Sequence, residues 1–304
     1  VESLRFQRVR KEYPKQIVAI RALDFVVNSG EIKVLLGPNG AGKSTFVKLA
    51  TGIMQPTCGI ISVNGSPLSR QSKRHIGLVL GGTQGLHWQM TVQETLLFWG
   101  ALYGITKDLK RKVSEMIDHF GMREYANTVN ESLSLGQHMR VKIARALIHN
   151  PHLVIFDEPT VGLDPEGRHL LYEVIQRMAH RENKAIILCT HDLDEAIQVA
   201  DWVYILNHGE WAFQGEPHEL MDLVESYVVL TLPSESNIID TMTTFAESVS
   251  KGDGAVRFLV NRENMPQVMS FLRNRVPPNF HVDRTTVYDA YLSALRRHGN
   301  AANE

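Results

Sequence analysis

Apolar residues fall into short blocks along the chain, and these blocks switch between strand-like and helix-like spacing. Val18–Val27 and Glu31–Leu36 are rich in Val, Ile and Leu and are parted by Asn28-Ser29-Gly30, which predicts strand, turn, strand. Gly37 to Gly42 is a glycine-rich loop, and Lys43–Thr51 reads as a helix stopped at Gly52. Gly59–Val63, before the Asn64-Gly65 turn, predicts an antiparallel strand, and His75–Leu80 a further strand. From Thr91 the spacing becomes helical. Thr91 and Glu94 have capping-box spacing, Lys107–Phe120 continues the helical region, and another helix should run from near Ser134 to about Ile148.

Leu153–Phe156 is wholly apolar, as expected of a parallel strand covered on both faces. Helix (Gly167–Arg181), strand (Ala185–Cys189), helix (Asp194–Ala200) and strand (Trp202–Leu206) follow, so the expected class is α/β, a parallel sheet wrapped by helices. After about Leu223 the texture changes. Ser226–Leu232 reads as strand, Ser236–Ser250 as helix and Ala255–Val260 as strand; Asn264–Val276, Phe280–Asp283 and Thr286–Arg297 then predict helix, strand, helix. The expected organisation is one domain over residues 1–223 and a small α+β domain over residues 224–304.

Composition narrows the function classes. A formal net charge of −1 removes the simple electrostatic case for a nucleic-acid binder, and no nucleic-acid partner is expected. Cys58 and Cys189 lie far apart, without metal-ligand spacing, which points to a reducing cytoplasm rather than a disulfide scaffold. Val1 to Tyr13 lacks the apolar block of a signal peptide, and no stretch approaches the ~20 apolar residues of a membrane-spanning helix. Service to a membrane would therefore run through a partner.

Gly37-Pro38-Asn39-Gly40-Ala41-Gly42-Lys43-Ser44 fits G-x-x-x-x-G-K-[ST] between a predicted strand and a predicted helix. Glycines let successive backbone amides turn inward around phosphate oxygens, and the following helix directs its positive end at them. Lys43 supplies a point charge for the terminal phosphates and the Ser44 hydroxyl can ligate Mg²⁺; Thr45 completes the nucleotide-binding set. Asp157 and Glu158 end the buried strand that follows. Taken alone, such a pair is a solvated strand end in any α/β protein. After a phosphate loop, Asp157 is a candidate Mg²⁺ residue and Glu158 a candidate general base that polarises the attacking water.

Leu133-Ser134-Leu135-Gly136-Gln137, shortly before the acidic strand, resembles the LSGGQ signature of ABC-type ATPases. Gly162-Leu163-Asp164 resembles that family's D-loop, Thr190-His191-Asp192 resembles its switch-histidine segment, and Tyr13 takes the place of its adenine-stacking aromatic. Order and spacing agree across roughly Leu4 to Gly215. The resemblance implies a P-loop NTPase core with an antiparallel β subdomain and a helical subdomain, beside the small C-terminal α+β domain. It also implies an ATPase using ATP and Mg²⁺. Two such domains, as a homodimer or with a paralogous ATPase subunit, would close head to tail on ATP. Ser134, Gly136 and Gln137 of one protomer would meet the other's γ-phosphate, His191 would contact that phosphate and Asp164 would link the two sites. The partner implied is a transmembrane permease, which places the chain peripherally on the cytoplasmic face of the membrane.

Two positions depart from the family pattern. Leu135 replaces the usual glycine, restricting the backbone near the phosphate, but Ser134 and Gly136, which lie nearest that phosphate, are kept, so function is expected to survive with at most an altered rate. Gly82 stands where the family has a Mg²⁺-contacting glutamine, so either Gln84 takes over through a shifted loop or water substitutes. His87 and Trp88 beyond it either meet a permease helix or are buried. The ending Thr285–Leu292 resembles tails of exporter subunits for drugs, antibiotics and polysaccharides, and the C-terminal piece is either a dimer-stabilising or regulatory appendage or a fold extension. The alternative function is a soluble ABC-type ATPase acting on ribosomes or nucleic acid. Against it stand a single phosphate loop and the absence of sustained heptads between Thr51 and Leu133. A P-loop kinase or GTPase leaves the signature and the switch histidine unexplained.

Overall fold

The computed structural model describes residues 1–283 apart from 83–84, 253, 274 and 278–279. The chain divides into two compact units, Val1–Trp211 and a second beginning at Ala212. The sequence boundary at residues 223 and 224 falls further along, inside the short helix Pro217–Glu225.

The first unit opens with β1 (Glu2–Tyr13), β2 (Ile17–Asn28) and β3 (Ile32–Leu36), then α1 (Lys43–Ala50), β4 (Cys58–Val63), β5 (Ser66–Pro67) and β6 (Ile76–Leu80). A helical stretch follows, made of α2 (Val92–Leu102), α3 (Leu109–His119) and α4 (Leu135–Leu147). The chain then alternates through β7 (Leu153–Asp157), α5 (Pro165–His180), β8 (Ala185–Thr190), α6 (Leu193–Val199), β9 (Trp202–Asn207) and β10 (Glu210–Gly215), the last crossing the division between units. β2, β1, β4 and β5 form an antiparallel sheet in that order. The second sheet has the order β10-β9-β3-β8-β7-β6, with parallel pairing from β9 to β6. The turn at Asn28-Ser29-Gly30 therefore passes the chain between two sheets.

β1 was not legible as a strand, and its burial shows why. Leu4, Phe6 and Val9 are buried, but register shifts on either side of Val9 break the alternation that marks a strand in sequence. Phe6 stacks on Phe46 of α1 at 4.7 Å and Phe25 of β2 meets the same ring edge-on at 5.0 Å. These rings anchor the helix after the glycine loop to the antiparallel sheet. Capping boxes start α2 (Thr91 with Glu94) and α4 (Ser134 with Gln137), satisfying free amides reciprocally.

The second unit contains α7 (Pro217–Glu225), β11 (Tyr227–Pro233), α8 (Ile239–Thr243), β12 (Ser248–Gly252), β13 (Ala255–Asn261), α9 (Met265–Leu272) and β14 (His281–Asp283). From β11 onward this is a β-α-β-β-α-β unit. Its sheet order, β12-β13-β11-β14 with antiparallel pairing throughout, is that of a ferredoxin-like fold. Leu230, Leu232, Phe258 and Val260 meet Met242, Val268 and Leu272 in its core. The helix expected over Ser236–Ser250 is corrected: only Ile239–Thr243 is helical, and Ser248–Gly252 pairs with β13. Ladder hydrogen bonds to a neighbouring strand outweigh the weak helical pattern of a segment rich in Ser and Thr. The helix expected at Thr286–Arg297 and the tail motif Thr285–Leu292 lie outside the described residues.

Candidate functional site

β3 delivers the chain into the glycine loop at the centre of the parallel sheet. Gly42 has φ +115°, and a Cβ there would sit 2.6 Å from the Ala19 carbonyl oxygen. At Gly37 a Cβ would sit 2.5 Å from the Leu206 carbonyl oxygen. Both positions are closed to any side chain. α1 then begins without a side-chain cap, so the first-turn amides of Lys43, Ser44 and Thr45 have no intrahelical acceptor. They face a pocket of about 430 Å³ whose lining includes Asn39, Gly40, Ser44, Asp157, Glu158 and His191. Free amides, a helix N-terminus and a cation in one concave site suit a polyphosphate.

Lys43 is 7% exposed, and its Nζ donates to the carbonyls of Gly37 at 2.5 Å and Pro38 at 3.3 Å. The same nitrogen lies 3.5 Å from Glu158 Oε1. Glu158 Oε2 is 2.6 Å from His191 Nδ1. β7 is buried along its apolar length, and the chain turns sharply where it ends: Glu158 has φ +51° and its N–H donates to the Cys189 carbonyl at 2.9 Å. Asp157, at the strand end, has its pKa raised by burial and then by Glu158 beside it, the electrostatic setting of a carboxylate that a cation would relieve. Among the described residues no three His, Cys, Asp or Glu side chains cluster to hold a metal. Ser44 and Asp157 instead both line the phosphate pocket, which fits an ion that takes its other ligands from phosphate and water.

The structure thus brings Gly37 to Thr45, Asp157, Glu158 and His191 together. Tyr13 stands alongside, its hydroxyl 3.2 Å from Thr45 Oγ1. It does not bring in the signature. Ser134, Gly136 and Gln137 line a separate pocket of about 380 Å³ with Leu163 and Gly167. Ser134 caps α4 by accepting from the Gln137 amide, and Asp164 caps α5 by accepting from the Gly167 amide at 2.7 Å. Leu135, 40% exposed, lies over Gly162, whose Cβ position its Cδ1 approaches to 2.9 Å.

Gln84 lies outside the described residues. Gly82 has φ +59° with open space at its Cβ position, and the loop around it hangs from two cations of α4. Lys142 Nζ donates to the carbonyl of Leu80 at 3.0 Å and to that of Gly82, while Arg145 donates to the carbonyls of Leu78 and Gly85. Burial, then Arg145, pushes Lys142 down to about 8. Sequence reasoning passed over Lys142, Arg145 and the buried Glu195. The one signal was charge at helical positions otherwise committed to a core. His87 and Trp88 are both exposed, beside a groove of about 540 Å³ lined by Ile53, Leu80, Trp99, Tyr103 and Arg145. Phe98, exposed on α2, meets His87 edge-on at 6.0 Å, and Leu102 is exposed on the same helix.

The chain matches the ABC transporter family over residues 20–161. It is 35% identical to the ABC transporter ATP-binding protein NatA of Bacillus subtilis (strain 168) over 72% of this chain and 89% of that protein. It is 38% identical to the Nod factor export ATP-binding protein I of Rhizobium sp. (strain N33) over 70% of this chain and 71% of that one. Among solved structures it is similar to cbiO1 of Clostridium perfringens, part of the ABC transporter complex cbiONQ, with a TM-score of 0.67, 28% identity, and coverage of 73% and 91%.

Proposed function

We propose that this chain, which belongs to the ABC transporter family as an ATP-binding and ATP-hydrolysing subunit, drives export through a separate membrane-spanning permease. In this reading ATP lies on the loop from Gly37 to Thr45, its phosphates held by the loop amides and Lys43, with Tyr13 at the adenine end. Glu158 takes a proton from the attacking water as general base, and His191 orients Glu158 and contacts the γ-phosphate. Mg²⁺ held by Ser44, Asp157 and, through a shifted loop, Gln84 would offset charge on the phosphates.

A head-to-tail dimer completes the site. The observation that carries this is the separation of the two pockets: the one lined by Ser134, Gly136 and Gln137 shares no residue with the phosphate pocket. Catalysis that uses both therefore takes a second ATPase subunit, identical or paralogous, with Asp164 at the junction. Binding ATP across the interface closes the dimer, and hydrolysis removes the contacts that hold it shut. The apolar groove beside His87 and Trp88 is the permease docking site, which puts the subunit on the cytoplasmic face of the membrane although no described helix is long and apolar enough to cross it. The export direction is supported by the relatives named for Nod factor export. The ferredoxin-like unit serves as a dimer-stabilising or regulatory accessory domain.

An affinity pull-down from detergent-solubilised membranes of the native cell tests the assignment. The expected result is a stoichiometric multi-span partner. Recovery with ribosomes or nucleic acid instead would overturn the transport reading and leave the ATP chemistry standing.

A further inference from the structure

Glu195 of α6 is only 1% exposed, and its carboxylate faces two threonine hydroxyls. Thr190 Oγ1 donates to Oε2 at 2.6 Å, and Thr160 Oγ1 donates to the same oxygen at 3.1 Å. Thr190 directly precedes His191, and Thr160 follows Glu158 after Pro159. We propose that Glu195 is a positioning residue for ATP hydrolysis: it clamps the segment bearing Glu158 to the segment bearing His191, tightly only while its carboxylate is ionised. The inference rests on the reading of Glu158 as general base and His191 as its orienting partner.

The clamp belongs to a continuous network. Thr190 Oγ1 also accepts from the Asp192 amide at 3.0 Å. Asp192 caps α6 by accepting from the amides of Asp194 and Glu195, and its Oδ2 accepts from Arg168 Nη1 at 3.0 Å. The ends of β7 and β8 and the starts of α5 and α6 are thereby tied together. Glu158 needs such a hold, because its φ of +51° is a left-handed conformation that a non-glycine residue keeps only under constraint from its surroundings.

Ionisation of this clamp is costly enough to be tunable. Oε1 of Glu195 is buried with no hydrogen-bond partner among the described residues. Burial pushes Glu195 up to about 7, opposed by the two threonine hydrogen bonds and aided by Asp192 and Glu158. The charged groups that act on it are Asp192 at the start of α6 and Glu158 after β7; Tyr172 of α5 feels Glu195 together with Asp192, Arg168 and Asp194, and His191 is next to Thr190 in the chain. A carboxylate accepts these two hydrogen bonds more strongly than its neutral acid does.

The test is steady-state hydrolysis by the full chain and by E195Q from about pH 6 to about pH 9, with ATP affinity measured in parallel. The kcat ratio of wild type to E195Q should be near one at the acidic end and rise to roughly tenfold at the basic end, with ATP affinity unchanged. A ratio constant with pH, or an equal loss of ATP affinity, overturns the clamp. Thr160→Val should lower kcat at basic pH and Thr160→Ser should restore it; equal activity of the two overturns the clamp even where E195Q does not fold. E158Q run alongside separates the premises. Near-normal hydrolysis by E158Q removes the base assignment, whereas an inactive E158Q with a flat ratio removes only the clamp.

Discussion

Gly81 is held against the backbone of Glu158 more closely than any side chain allows. It follows β6, and its N–H donates to the Asp157 carbonyl at 2.8 Å. A Cβ built on it would lie 1.8 Å from the Glu158 carbonyl oxygen and 2.7 Å from the carbonyl carbon. Carbon and oxygen rest roughly 3.3 Å or more apart, so Gly81→Ala must separate the two segments by about 1.5 Å. Neither side yields freely. β7 is buried along its apolar residues and Glu158 is bonded to the Cys189 carbonyl, while the loop beyond Gly81 is held by Lys142. Part of the displacement therefore reaches Glu158, and a reacting group misplaced by about 1 Å loses on the order of a hundredfold in rate. Overpacking should cost about 1–3 kcal/mol of stability as well. Steady-state ATP hydrolysis with a parallel thermal melt reads both effects. Turnover within about threefold of wild type, with an unshifted melt, would refute the argument that this contact sets the position of the base.

Glu158→Gln should reduce turnover by about 10²–10⁴-fold while Mg-ATP still binds and traps a dimer, read by hydrolysis and by size-exclusion chromatography; near-normal hydrolysis would remove the base assignment. Lys43→Ala should weaken ATP binding by roughly ten- to a hundredfold in a titration with nucleotide, and unchanged affinity would count against the phosphate-loop reading. For Glu195 the folded pKa of about 7 lies above the ordinary value of 4.5, so the folded chain binds the extra proton between them. Its contribution to stability is complete below the ordinary value and is lost as pH rises through about 7, amounting to about 3 kcal/mol at most. Denaturant midpoints of wild type should accordingly fall relative to E195Q between those pH values, and parallel pH dependences would contradict the buried ionisation.

What the sequence determined by itself was the chemistry that travels in short, contiguous words. The glycine loop with Lys43 and Ser44, and the apolar strand ending in Asp157 and Glu158, each fix a backbone shape and a reactive group within a few residues, so spacing alone reveals them. The same holds for the Thr91–Glu94 capping box and for the alternation that builds the parallel sheet, whereas the second box, Ser134 with Gln137, shows only in the fold. Tertiary structure decided everything that depends on neighbours distant along the chain. β1 is a strand because bulges let Leu4, Phe6 and Val9 share one buried side, an arrangement its sequence period hides. Ser248–Gly252 is a strand because β13 lies next to it, and only the resulting sheet order shows the second unit to be ferredoxin-like. Gly81 reads as an ordinary loop glycine until Glu158 is seen to press on it. Lys142 and Glu195 read as polar residues on helices until burial shows one suspending the loop around Gly82 and the other joining Thr160 to Thr190. A charge is tolerated in an interior only where donors or acceptors from several segments converge on it, and that convergence exists only once the chain has folded.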